Sequence, residues 1–138
     1  MLNIETGIYL EDSGTKIPWG VQLENIKQYG NPEIIDLPGG RTQVKWKGVT
    51  IFGGLKIDLV ALFYFNFFKK KYFRHIFTYL DSLDTMNKLV FHFDYVFNTE
   101  HTLCSDFEYE YKWRTKKCKI SVGSGDRFGP FYYLKIEA

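Results

Sequence analysis

Residues 107–113 read Phe-Glu-Tyr-Glu-Tyr-Lys-Trp, an unbroken alternation of rings and charges. Successive side chains of an extended chain point to opposite faces, so this stretch is a half-buried strand. The same period governs much of the chain. Val44 and Trp46 alternate with lysines, and Leu55, Ile57, Leu59, Ala61, Phe63 and Phe65 share one face of a long strand. Val60, Leu62 and Tyr64 on its other face predict cover on both sides there. Residues 72–80 read as a strand paired back across the turn Lys69-Lys70-Lys71. Cys118, Ile120 and Val122 mark the buried side of another strand, and Tyr132, Leu134 and Ile136 that of a closing one. Pro38-Gly39-Gly40, Lys47-Gly48, Gly53-Gly54, Arg114-Thr115-Lys116 and the loop 123–130 are the expected turns.

Two stretches break this period. After Ile17-Pro18-Trp19-Gly20, residues Leu23, Ile26 and Tyr29 recur at helical spacing. Gly30 is placed to take a left-handed conformation and Pro32 forbids continuation, which predicts a short helix of about two turns with Trp19 packed at its start. From Asp84, placed as the N-cap, Met86, Leu89, Val90, Phe93 and Phe97 follow the pattern of an amphipathic helix. Residues 98–106 are polar and irregular.

The order is helix, about four strands, helix, about three strands. The expectation is an α+β fold in a single domain, residues 1–138, with an antiparallel sheet of about six or seven strands and two helices on one face. Trp46 and Trp113, each early in a strand set, hint at a duplicated α-β-β-β unit with pseudo-repeats 17–80 and 84–138.

Composition narrows the function classes. A chain of 138 residues can fold around one core without staples. Thirteen Phe, ten Tyr and three Trp either fill a thin core or lie on an exposed face that binds a partner. Tyr64, Phe73, Phe77, Tyr109 and Tyr111 are more rings than one core face holds. A net charge of +2 gives no concentrated basic stripe, so no nucleic-acid partner is expected. The start MLNIETGIYLEDSG lacks the basic and apolar regions of a signal peptide. The most apolar stretch, residues 55–68, contains Asp58 and Asn66 and is too short for a spanning helix. The expected location is the cytoplasm. Cys104 and Cys118 do not make a disulfide framework, and Cys118 serves as a small hydrophobe.

Catalytic and metal chemistry find little support. His75, His92 and His101 have no second ligand at i+3 or i+4 with metal-like chemistry, so no metal or other cofactor is expected. A nucleophile built from Cys104 and His101 lacks an orienting third group and an oxyanion hole. Gly123-Ser124-Gly125 is followed by strand-like FYYLKIE, whereas a phosphate cradle needs a helix N-terminus or a placed lysine. Asp126 and Arg127 are exposed charges at the tip of that hairpin loop. Glu108 and Glu110 share a strand face with Lys112 and could dock a partner. The expected partner-binding set is Tyr109, Tyr111, Glu108, Glu110, Asp126 and Arg127.

Ile17-Pro18-Trp19-Gly20, Leu23, Ile26 and Gly30-Asn31-Pro32, followed by Trp46 and Ile51-Phe52-Gly53-Gly54, carry a further signal. This pattern resembles the tandem α+β modules of beta-lactamase inhibitor proteins and small outer-membrane assembly lipoproteins, best over residues 17–66. The second half departs from it, with no Gly-x-Pro after Phe97, and no lipobox cysteine precedes the first motif. The resemblance implies a non-enzymatic fold that binds other proteins through its sheet face and loops. The expected function is therefore a protein-binding module, such as an immunity or inhibitor protein that occludes a toxin or enzyme. The alternatives are an assembly module of an envelope or surface complex and a small enzyme.

Overall fold

Antiparallel register carries the alternation of the sequence from strand to strand. The computed structural model describes residues 4–64, 70–97, 102–105, 109–126 and 129–138, with the backbone alone for 102–105 and 109. The strands are β1 (Gly7–Leu10), β2 (Thr15–Pro18), β3 (Glu33–Leu37), β4 (Arg41–Ile51), β5 (Leu55–Phe63), β6 (His75–Leu80), β7 (Thr102–Ser105), β8 (Tyr109–Arg114), β9 (Lys119–Asp126) and β10 (Pro130–Glu137). Strands β1 and β2 pair with each other, and the other eight form one sheet in the order β3-β4-β5-β6-β10-β9-β8-β7. Two runs of four sequential strands thus each fold as an antiparallel meander. They meet where β6 lies beside β10.

One face of this sheet is buried. Val44, Trp46, Leu59, Ala61, Phe63, Ile76, Ile120, Val122, Leu134 and Ile136 lie on it, all at 1% exposure or less. Helix α1 (Leu83–Phe97) packs against β6, β9 and β10 and buries Met86, Leu89 and Phe93. The β1–β2 hairpin packs against β4 and buries Ile8, Leu10 and Ile17. Phe73, fully buried, stacks on Trp19 at 4.8 Å and meets Trp46 edge-on at 5.9 Å. Each indole is also held by its donor: Trp19 Nε1–H donates to the Ile4 carbonyl and Trp46 Nε1–H to the Tyr29 carbonyl, both at 2.6 Å. Burying an indole with its N–H paired avoids the cost of an unmet donor.

The expected α+β class with two helices on one sheet face is corrected: the fold is mainly β, with one α-helix and one 3-10 helix among the described residues. The segment read as the first helix is the 3-10 helix Leu23–Gln28, which buries only Ile26 and has no side-chain N-cap bond. So short a segment cannot offset the cost of helix nucleation with a single buried side chain. The unit is therefore not α-β-β-β: four strands follow a 3-10 helix in the first half and an α-helix in the second. Gly30 does take a left-handed conformation, at φ +75°.

Other elements depart from the sequence reading for local reasons. Lys47-Gly48 does not reverse the chain; β4 runs through it with a bulge between Trp46 and Val49. Residues 123–126 continue β9 rather than forming a loop. Asp84 is not the cap of α1, because Ser82 Oγ accepts from the Thr85 N–H at 3.2 Å and Asp81 Oδ1 accepts from Thr85 Oγ1 at 2.6 Å. Of the expected lysine turn 69–71, Lys69 lies outside the described residues, and the strand after it begins at His75 rather than at Tyr72.

Candidate functional site: the uncovered face of the sheet

The opposite face of the sheet has no helix or hairpin on it among the described residues. Register fixes its rows. Glu110, Gly123, Tyr133 and Tyr79 are successive partners across β8, β9, β10 and β6, followed by Lys112, Ser121, Lys135 and Phe77, then by Arg114, Lys119, Glu137 and His75. Phe131 faces Gly125 beside the first of these rows.

Aromatic side chains dominate the β6–β10 seam of this face. Phe77 and Tyr133 stack with centroids 5.7 Å apart and planes 7° from parallel. Tyr79 meets both Phe77 (5.3 Å) and Phe131 (6.2 Å) edge-on, and Phe131 adjoins Tyr133 at 6.2 Å. Tyr64 packs edge-on against His75 at 5.1 Å. Tyr79 remains 68% exposed and Tyr64 42%. The sequence FTY on β6 and FYY on β10 places these rings two apart, and Gly123 and Gly125 leave room for the β10 rings to lean over β9.

Charges border the rings. Lys112 pairs with Glu110 at 3.0 Å and Lys135 with Glu137 at 3.2 Å. Tyr133 donates its phenolic hydrogen to Glu110. Burial pushes the Glu110 carboxyl up, but the hydrogen bonds from Tyr133 and Lys112 and the nearby lysine charges outweigh it and hold the carboxyl below its ordinary value. Burial lowers the His75 imidazole, a shift that Glu137 opposes and Arg74 and Lys135 reinforce. An open groove of about 470 Å³ runs along β8, β9 and β10 between these groups.

The expected partner-binding residues do not gather here. Glu110 lies on the uncovered face, but Tyr111 is on the other side of β8 with Trp113, packed against the core. Asp126 is exposed at the end of β9. Glu108 and Arg127, and the side chain of Tyr109, lie outside the described residues. Phe73 is core. The sequence reading missed Tyr79, Phe131 and Tyr133; their alternation with the aliphatic Ile76, Leu134 and Ile136 was the available signal.

A second concavity, about 430 Å³, lies between the turn Phe52-Gly53-Gly54 and α1, lined by Leu55, Lys88, Phe91, His92 and Tyr95. Phe52 is at φ +52°, a left-handed conformation unusual for a bulky residue. The Gly53 and Gly54 N–H groups donate to the Glu11 carboxylate at 3.2 and 2.7 Å, which occupies the turn's donors. His92 Nε2 is buried without a hydrogen-bond partner. Its imidazole is lowered by burial, against the raising effect of Glu11.

Among the described residues no three His, Cys, Asp or Glu side chains come together to hold a metal ion, and no helix is long and apolar enough to cross a membrane. Comparison with protein-family models, curated proteins and solved structures gives no match.

Proposed function

We propose that this is a non-enzymatic binding protein that docks another protein on the uncovered face of its sheet, acting as an inhibitor or immunity protein by occluding its target. The observation that carries this reading is the contiguous ring cluster Phe77, Tyr79, Phe131 and Tyr133 on a face that no other element covers among the described residues. Rigid aromatic side chains bury large areas at small entropic cost and are the usual anchors of interfaces. A rim of ion pairs, as Lys112–Glu110 and Lys135–Glu137 provide, tunes association rate and specificity more than affinity.

The test is site-specific photo-crosslinking in the native host. A benzophenone side chain in place of Tyr79 should give a discrete covalent adduct with another protein, and one in place of exposed Lys16 on the hairpin should not. Equal adducts from both positions, or none from position 79, would refute the docking face.

A further inference from the structure

We infer that the partner of this face presents an acidic segment, its apolar side chains meeting the ring cluster and its carboxylates meeting Arg114 and Lys119. This rests on the docking reading above and assigns the chemistry of the partner. Arg114 and Lys119 are register partners on β8 and β9 at one corner of the face. Both are exposed, and neither forms an ion pair among the described residues. Next to them, Lys112 and Lys135 are already neutralised by Glu110 and Glu137. The groove thus holds four cations against two carboxylates, a surplus as large as the net charge of the entire chain. Positive charge is therefore concentrated beside the rings, and its uncompensated share sits on Arg114 and Lys119.

Geometry selects a carboxylate on a protein over a phosphate on a nucleic acid. The guanidinium of Arg114 offers a planar fork that matches a carboxylate or a phosphate with two parallel hydrogen bonds, so the rings beside it decide between the two. Bases stack on open ring faces, whereas Phe77 and Tyr133 turn their faces to each other, 7° from parallel, and Tyr79 adds an edge-on contact. What remains outward suits aliphatic and aromatic side chains. Strands spaced about 4.8 Å apart put the Lys119 strand roughly 10 Å from Phe77, the reach of about three extended residues. One short segment can therefore engage both parts.

The test is selection from a random peptide library on the full chain, alongside the variant with Arg114→Glu and Lys119→Glu. Selected peptides should combine Asp or Glu with Leu, Phe or Trp. They should shift the amide resonances of both the ring cluster and the Arg114–Lys119 corner, and lose about tenfold or more in affinity on the charge-reversed variant. That variant should instead enrich basic peptides. The neutral pair Arg114→Gln and Lys119→Gln, at exposed positions, should give an intermediate loss with an unchanged circular dichroism spectrum. Peptides that bind the rings without carboxylates and ignore the charge reversal would overturn the acidic assignment while leaving the docking face standing. Selected peptides that shift neither part would overturn it too, and crosslinking at position 79 then decides the docking reading by itself. Oligothymidylate that shifts the same rings and displaces the peptides would overturn it in favour of nucleic acid.

Discussion

Tyr133 on β10 reaches across β9 to donate its phenolic hydrogen to Glu110 on β8, and Gly123 stands between them as the register partner of both. The bond joins three strands on the uncovered face and fixes the carboxylate that neutralises Lys112. Because the Glu110 carboxyl is held below its ordinary value of 4.5, its stabilising contribution is present above that pH and is lost as pH falls through the folded-state value. Tyr133→Phe is expected to raise the Glu110 pKa, shrink this acid-dependent loss and cost about 1 kcal/mol at neutral pH. Carboxyl-carbon NMR titration and urea unfolding measure both effects. An unchanged Glu110 titration would show that the bond is not made in solution.

Gly30 is irreplaceable for two separate reasons. It sits at φ +75°, and a Cβ there would lie 2.9 Å from Leu10 Cδ1 and 3.1 Å from Trp46 Cδ1. Gly30→Ala is expected to destabilise by about 2 kcal/mol or more. A lowered urea midpoint with unchanged slope is the expected result; an unaltered midpoint would contradict the packing of Leu10 and Trp46 around this turn.

Acidification should weaken the fold through two histidines. Burial lowers both His75 and His92 from their ordinary value of 6.5, so the unfolded chain takes up protons first. Their contribution is complete above about pH 6.5 and declines as pH drops from there toward the folded-state values. His92→Leu removes a buried nitrogen that has no partner and should be neutral or stabilising at pH 7. It should also flatten the stability loss as pH falls below about 6.5. Thermal unfolding across that range checks this, and a slope identical to the parent would sink it.

Cys118 should be chemically silent in the folded protein. It is 2% exposed and its thiol donates to the Ile4 carbonyl at 3.4 Å. Burial pushes the thiol up, the Thr115 hydrogen bond opposes this, and the net shift leaves it above its ordinary value, where little nucleophilic thiolate exists at neutral pH. With Cys104→Ser as background, iodoacetamide should leave the native protein unmodified and label it fully in urea. Rapid native labelling would place Cys118 at the surface.

The sequence by itself determined which side chains share a face within each strand. Period two in residues 107–113 put Trp113 and Tyr111 opposite Glu110 and Lys112, and the same rule separates Tyr132 from Phe131 and Tyr133. It also determined the apolar stripe of α1 and the left-handed turn at Gly30, since each depends on neighbours a few residues away. It did not determine a helix at Leu23–Gln28, where one buried Ile26 leaves the tighter 3-10 form. Nor did it reveal the hairpin β1–β2 or the edge strands β3 and β7, whose short runs carry little alternation.

Only the tertiary structure decided which face became the core. Parity says that Tyr111 and Tyr133 point to opposite sides of the sheet, but it cannot say which side α1 and the β1–β2 hairpin will cover. That choice is made by Phe93 against Trp113 and by the hairpin against β4, contacts between segments far apart in the chain. The ring cluster exists for the same reason: β6 and β10 are neighbours only because two meanders join at their last strands, bringing Phe77 against Tyr133. Alternation is local to a strand, whereas the free energy of covering a face comes from apolar area supplied by distant elements.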